Sequence, residues 1–178
     1  MGTIDPDKIK FKTLYTASAI EARVSAMGDK ISADLNGEPV VIIAVLKGAF
    51  IFAADLVRHI KAPVSIDFVG ASSYQGTTST GSVRVTHDVT VDIKGKNVIV
   101  VEDIVDTGRT LDFLLAMLRQ RGPRSLKLCT LLSKPEAREV AVDVDYCGFE
   151  ISKEFVIGYG LDLDGRWREL PYIAQVEI

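Results

Sequence analysis

Four β-branched residues, Val98 to Val101, run straight into two carboxylates, Glu102 and Asp103. Two more apolar residues lead to a short polar run, Asp106-Thr107-Gly108-Arg109-Thr110. A continuous apolar run of this kind predicts a strand buried on both faces, as in a parallel sheet. Leu111, Phe113, Leu114, Met117 and Leu118 then repeat at helical spacing, which predicts a helix to about Arg121. The order is strand, acidic elbow, small polar loop, helix. Backbone N–H groups in such a loop and at the helix start converge on an anion, and the helix dipole adds to the attraction. Carboxylates repel phosphate, but they suit sugar hydroxyls or a hard cation such as Mg²⁺. A ligand carrying phosphate, a sugar diol and a metal-bound pyrophosphate satisfies both halves.

The same grammar recurs along the chain. Val40 to Leu46 predicts a second buried strand, ending at Lys47-Gly48. A helix from Ala49 to about Ile60 follows, with Phe50, Ala53, Leu56, Val57 and Ile60 expected on its inward face. Val64 to Val69 predicts a strand, and Val83 and Val85 resume one beyond the hydroxyl-rich loop from Gly70 to Gly81. Long polar loops in compact domains are more often lids or binding loops than plain connectors. After a break at Gly122-Pro123, Ser125 to Leu132 predicts another strand, ending at Ser133-Lys134-Pro135. Upstream, Ser18-Ala19-Ile20-Glu21 fits a capping box. Ile20, Val24, Met27, Ile31 and Leu35 make an apolar stripe, and Asn36-Gly37 stops the helix. Met1 to Leu14 reads as an irregular arm. Glu136 to Val142 reads as a short helix or turn. Tyr146 to Ile151 and Phe155 to Gly158 read as short strands, and the final eight residues as a closing edge strand.

This alternation predicts an α/β fold with a mostly parallel sheet flanked by helices. A chain of 178 residues is expected to form one domain. Ligands of open parallel sheets bind at the carboxyl ends of the strands. Lys47, Gly48, Glu102, Asp103 and Lys134 all fall at that end. The net charge of −3 gives no reason to expect nucleic acid or an anionic membrane as partner. No apolar run approaches spanning length, and the N-terminus lacks a secretory pattern. Cys129 and Cys147 have no metal or redox spacing and read as buried reduced thiols of a cytoplasmic protein. There is no Walker A sequence, and Gly158-Tyr159-Gly160 lacks the next glycine of a dinucleotide fingerprint.

The run from Val98 to Leu111 resembles the phosphoribosyl-pyrophosphate-binding motif of the type I phosphoribosyltransferases, in which apolar residues lead into an acidic pair and Asp-Thr-Gly. The likeness covers most of the chain from Val40 to Leu170 in matched order and leans to the branch that salvages hypoxanthine and guanine. It implies the fold of that family with a small hood: a core of about residues 38–133, and a hood from the N-terminal arm and about residues 134–178. It also implies transfer of a phosphoribosyl group from phosphoribosyl pyrophosphate to a 6-oxopurine, Mg²⁺ as cofactor, and a homodimer or homotetramer.

The residue roles follow from the same resemblance. Glu102 and Asp103 would hold the ribose diol or a metal. Asp106 would act on the purine imidazole proton. Thr107, Gly108, Arg109 and Thr110 would bind the 5′-phosphate, Arg109 more by its backbone than its side chain. Lys47, Gly48, Ser73, Tyr74 and Arg168 would bind pyrophosphate, with a non-proline cis peptide implied in the Leu46-Lys47-Gly48 loop. Lys134, Phe155, Val156 and Asp162 would form the purine pocket, with Asp162 also serving a second Mg²⁺. The loop around Tyr74 would close over the site. A regulator that binds phosphoribosyl pyrophosphate without transferring it is the alternative. Such a protein is expected to lack the purine-site lysine or the pyrophosphate loop and to add a DNA-binding segment, whereas Lys134, Lys47-Gly48 and Arg168 are present here.

Overall fold

The computed structural model describes residues 10–73 and 83–177. Among the described residues, two sheets, three α-helices and one 3₁₀ turn (Pro135–Ala137) make up the fold. In chain order the elements are β1 (Lys10–Tyr15), α1 (Ala17–Leu35), β2 (Val40–Leu46), α2 (Phe50–His59), β3 (Val64–Ser73), β4 (Val83–His87), β5 (Asn97–Val105), α3 (Arg109–Arg119), β6 (Ser125–Ser133), β7 (Tyr146–Glu150), β8 (Val156–Ile157) and β9 (Ile173–Glu177). Six strands form the larger sheet in the order β4-β3-β2-β5-β6-β7, and β1-β9-β8 form the smaller. All pairs in the larger sheet are parallel except β3 with β4. This is the mixed, mainly parallel α/β sheet that the strand–helix alternation predicts.

Burial explains why the central strands are continuous apolar runs. On β2, Val40, Ile42 and Ala44 pack with α1 and α2, while Val41, Ile43 and Val45 pack with α3. β5 divides in the same way, Ile99 and Val101 against Val98 and Val100. Each strand therefore needs apolar residues at both parities.

Several local expectations are corrected. The cap of α1 is Thr16, two residues before the expected box: its backbone is extended and its hydroxyl accepts from the Ala19 N–H at 3.3 Å. The buried face of α2 is Ala49, Phe52, Ala53, Leu56 and Ile60, whereas Phe50 is 44% exposed. The stripe starts one residue earlier than expected, because Ala49 is already buried where the chain leaves the turn. α3 begins at Arg109 and ends at Arg119. Part of the expected irregular arm, Lys10–Tyr15, is a strand paired antiparallel to β9. The last strand is therefore not an edge: β9 lies between β1 and β8. Cys129 is buried, but Cys147 is only partly so.

Asp67 on β3 ties down the chain that returns from β4. Its Oδ2 accepts from the backbone N–H groups of Thr90 (2.7 Å) and Val91 (2.8 Å) and from the Thr90 hydroxyl (3.1 Å). Its Oδ1 accepts from the Phe68 N–H at 2.8 Å. Burial pushes this carboxyl up, but the hydrogen bonds outweigh it and hold it below its ordinary value. A lowered folded value means the ionised form stabilises the fold. The contribution is complete above about pH 4 and is lost as pH falls through the lowered value. Asp67→Asn is thus expected to destabilise by about 1–2 kcal/mol at neutral pH. The gap to wild type should close in denaturant titrations carried out at progressively lower pH, and a gap independent of pH would contradict it.

Candidate active site

The carboxyl ends of β2, β5 and β6 gather most of the candidate residues. β5 pairs with β2 only as far as Val101, yet stays paired with β6 to Val105. Glu102 and Asp103 therefore lie within the strand rather than in an elbow after it. They sit where β2 has turned away into Lys47-Gly48. The Leu46–Lys47 peptide bond is cis, as the resemblance implies. Gly48 lies so close to Asp103 that a Cβ there would overlap the carboxylate.

Two acidic groups held side by side with little solvent resist ionisation. Burial first, and then the Asp103 charge, hold the Glu102 carboxyl well above the usual carboxylate range. Burial also raises Asp103, while a hydrogen bond with Glu102 and the Arg168 charge pull the other way. Glu102 Oε1 accepts from the Asp103 N–H at 3.1 Å, and Asp103 Oδ1 from the Ile104 N–H at 2.7 Å. Bringing a hard cation to this pair would relieve the repulsion and match its oxygen donors. Among the described residues, no group of three or more His, Cys, Asp or Glu side chains forms a metal cage. Mg²⁺ does not need one, since it commonly keeps waters and substrate oxygens beside one or two carboxylates.

Beyond the pair the chain bends at Asp106–Gly108 and enters α3. Gly108 has φ +85°, and a Cβ there would come within 2.6 Å of the Val140 carbonyl oxygen. Glycine is needed on both counts. The Thr107 carbonyl accepts from the N–H groups of Glu139 (2.9 Å) and Val140 (3.0 Å), which fixes the loop from behind. No side chain caps α3, so its first N–H groups are left to face an anion. Thr110 is half-buried in the first turn. The Arg109 side chain turns away to Glu139, with Nε 2.6 Å from Oε2.

Lys134 follows the end of β6 and is only 8% exposed. Its N–H donates to the Val105 carbonyl (2.9 Å), and its Nζ lies 3.5 Å from Asp106 Oδ2. A buried ammonium and a half-exposed carboxylate are thus presented together beside the phosphate loop.

Asp162 and Arg168 come from a run of turns between β8 and β9. Arg168 Nη2 lies 2.6 Å from Asp162 Oδ1, and Asp162 Oδ2 accepts from the Gly165 N–H at 2.7 Å. Arg168 Nη1 also donates to the Gly160 carbonyl. Gly160 in turn lies against the Gly48 carbonyl oxygen, with no room between them for a Cβ. Gly48, Asp103, Gly160, Arg168 and Asp162 therefore form one contiguous group.

Among the described residues, Lys47, Phe155 and Val156 are not joined to these groups by a hydrogen bond or ion pair. Lys47 is exposed beside Gly48. Phe155 is 45% exposed just ahead of β8, and Val156 is buried in it. Ser73 ends β3, its backbone paired with Val83. Tyr74, with the rest of 74–82, lies outside the described residues. Sequence reasoning missed Gly160, because Gly158-Tyr159-Gly160 was weighed only as a failed nucleotide fingerprint. It also missed the support that Glu139 and Val140 give to the phosphate loop. A cavity of about 490 Å³ lined by Glu38, Asn97 and Arg124 lies at the opposite, amino-terminal end of the strands and touches none of these residues.

Comparison with known proteins places the chain in a family. Residues 10–164 match the phosphoribosyl transferase domain family. A hypoxanthine-guanine phosphoribosyltransferase of Mycobacterium avium is 46% identical, covering 97% of this chain and 88% of that one. A hypoxanthine phosphoribosyltransferase of Buchnera aphidicola is 44% identical, covering 95% and 97%. The crystal structure of a hypoxanthine-guanine phosphoribosyltransferase from Bacillus anthracis superposes with a TM-score of 0.89 at 48% identity, covering 96% of this chain and all of that one. Sheet order, site geometry and these relatives lead to one conclusion: the chain belongs to the type I phosphoribosyltransferase family, in its hypoxanthine-guanine group.

Proposed function

We propose that the protein transfers the 5-phosphoribosyl group from phosphoribosyl pyrophosphate to hypoxanthine or guanine, giving IMP or GMP and pyrophosphate, as a step of purine salvage. The observation that carries the reading is the Lys134–Asp106 pair, 3.5 Å apart. A 6-oxopurine displays a carbonyl oxygen next to its imidazole N7 on one edge. An ammonium can only donate and an ionised carboxylate can only accept. Lys134 therefore suits the exocyclic oxygen, and Asp106 suits a proton on N7. The exposed ring of Phe155 is available to stack on the base, and the backbone of Val156 to read its edge.

The remaining roles are those that the family resemblance implies. N–H groups from Thr107 to Thr110, with the Thr107 and Thr110 hydroxyls, bind the 5′-phosphate. Glu102 and Asp103 hold the ribose diol. Lys47, Gly48 and Arg168, with Ser73 and Tyr74, hold the pyrophosphate. As the bond from the anomeric carbon to the pyrophosphate oxygen breaks, that carbon becomes cation-like before the purine nitrogen arrives from the opposite face, and pyrophosphate leaves intact. Fixed charges and dipoles supply most of the acceleration by orienting the reactants. Asp106 takes up or shares the imidazole proton, so the base gains electron density at the attacking nitrogen. Glu102 and Asp103 would hold Mg²⁺, with Asp162 serving a second ion, and the metal would supply charge neutralisation for the leaving oxygens.

We take the chain as a single domain, with a core of about residues 38–133 and a small hood from the N-terminal arm and residues after Lys134. We also infer a cytoplasmic homodimer or homotetramer, which light scattering on the purified protein would check. No helix among the described residues is long and apolar enough to cross a membrane.

The reading is tested by pyrophosphate release with phosphoribosyl pyrophosphate, Mg²⁺ and each purine in turn. Release is expected with hypoxanthine and guanine, and no release with any base would overturn the proposal. Gly48→Ala places a methyl group on the Asp103 carboxylate. It is expected to raise the KM for phosphoribosyl pyrophosphate about tenfold, with the purine KM little changed. Steady-state kinetics with each substrate varied would show this.

A further inference from the structure

Tyr159 has no part in the chemistry above, yet it is held in an unusual way. It lies between Gly158 and Gly160, and all three have positive φ, at +94°, +50° and +101°. The left-handed region is unfavourable for a non-glycine L-residue because its Cβ crowds the following carbonyl oxygen. Such a conformation persists only where its surroundings over-determine it. Here the surroundings are specific. The Tyr159 ring is 7% exposed and packs in the core cluster of α1 and α2. Its hydroxyl donates to Asp55 Oδ2 on α2 at 2.6 Å. Burial first, and then the bond to Asp55, push the phenol above its ordinary value, so it stays a donor. Its N–H donates to the Leu170 carbonyl at 2.8 Å.

The neighbours of this bond matter. Asp55 belongs to the helix that begins directly after the Lys47-Gly48 turn. Gly160, the next residue after Tyr159, abuts the Gly48 carbonyl oxygen. Gly160 also donates its N–H to the Arg168 carbonyl at 2.9 Å and accepts from the Arg168 guanidinium. A single side-chain bond thus closes a ring that runs from α2 through Gly48, Gly160 and Arg168 back to Tyr159. We propose that the Tyr159–Asp55 hydrogen bond is a brace that fixes the spacing between the Lys47-Gly48 turn and Arg168, making Tyr159 a positioning residue for the pyrophosphate group. The inference rests on the reading that this turn and Arg168 bind pyrophosphate.

The test measures the dissociation constant of phosphoribosyl pyrophosphate with Mg²⁺ by calorimetry, without purine, for wild type, Tyr159→Phe, Asp55→Ala and the double variant. Tyr159→Phe keeps the ring and therefore the packing. Asp55 has a partly exposed side chain (38%), so Asp55→Ala, which removes the acceptor, tests the brace even if the phenylalanine variant folds poorly. Each single variant is expected to bind about three- to tenfold more weakly, and the double variant no more weakly than the worse single one. The purine KM and the unfolding midpoint should stay near wild type. Wild-type binding with unchanged constants in both variants, additive losses, or an equal rise in the purine KM would overturn the brace alone. A wild-type chain that binds no phosphoribosyl pyrophosphate would overturn the reading beneath it as well.

Discussion

Asp106→Asn is expected to lower kcat about a hundredfold or more, while the dissociation constant for phosphoribosyl pyrophosphate changes little. The substitution keeps the shape of the side chain and replaces an acceptor-only carboxylate with a neutral amide. Asp106 lies at the bend between β5 and α3, with Lys134 Nζ 3.5 Å away. The backbone that would hold the phosphate is fixed independently, through the Thr107 carbonyl and Gly108. Ground-state binding of the phosphoribosyl group should therefore survive. What is lost is stabilisation of the purine as its imidazole proton leaves, which belongs to the transition state. Parallel measurement of single-turnover rate and binding separates the two. Near-normal turnover would remove Asp106 from the base role.

Lys134→Gln is expected to change which base is used. A buried ammonium donates to an exocyclic carbonyl oxygen but has nothing to offer an amino group. A glutamine amide carries both a donor and an acceptor. Because Lys134 is only 8% exposed, water does not readily replace its bond to the base. The kcat/KM for hypoxanthine is expected to fall about a hundredfold. A site built to hydrogen-bond one group rejects the analogue lacking it by about 10⁴ or more, and this discrimination against adenine should narrow in the variant. The ratio of the two kcat/KM values reads the effect. An unchanged ratio would mean that the base is recognised elsewhere.

The two substitutions separate what was legible in the sequence from what was not. The strands β2, β5 and β6 could be read because both of their faces are buried, which demands apolar residues at every position. The phosphate loop could be read because its glycine and acidic residues are contiguous. The smaller sheet could not. β8 has two residues, and β1 finds its partner β9 at the far end of the chain. Four of the six residues of β1 are exposed, so no periodicity marks it. The pyrophosphate end of the site was legible as a set of residues but not as an arrangement. Gly160 meets Gly48, and Tyr159 meets Asp55, 104 positions away in the chain. Those contacts depend on consecutive left-handed residues, and no local pattern encodes the path the chain takes after them.

The separation also explains the division of labour at the site. The run from Val98 to Leu111 would handle ribose, phosphate and the proton, and it carries no means of choosing a base. In the proposed reading that choice would fall to Lys134 with Phe155, Val156 and Asp162, while the leaving group would fall to the Gly48–Gly160–Arg168 group. The most direct test of this account is a competition. The protein is given phosphoribosyl pyrophosphate, Mg²⁺ and equal amounts of hypoxanthine and adenine, and the nucleotides are separated by chromatography. The expected result is IMP with one pyrophosphate released per IMP, and AMP lower by about 10⁴-fold or more. Comparable amounts of the two nucleotides, or neither of them, would contradict it.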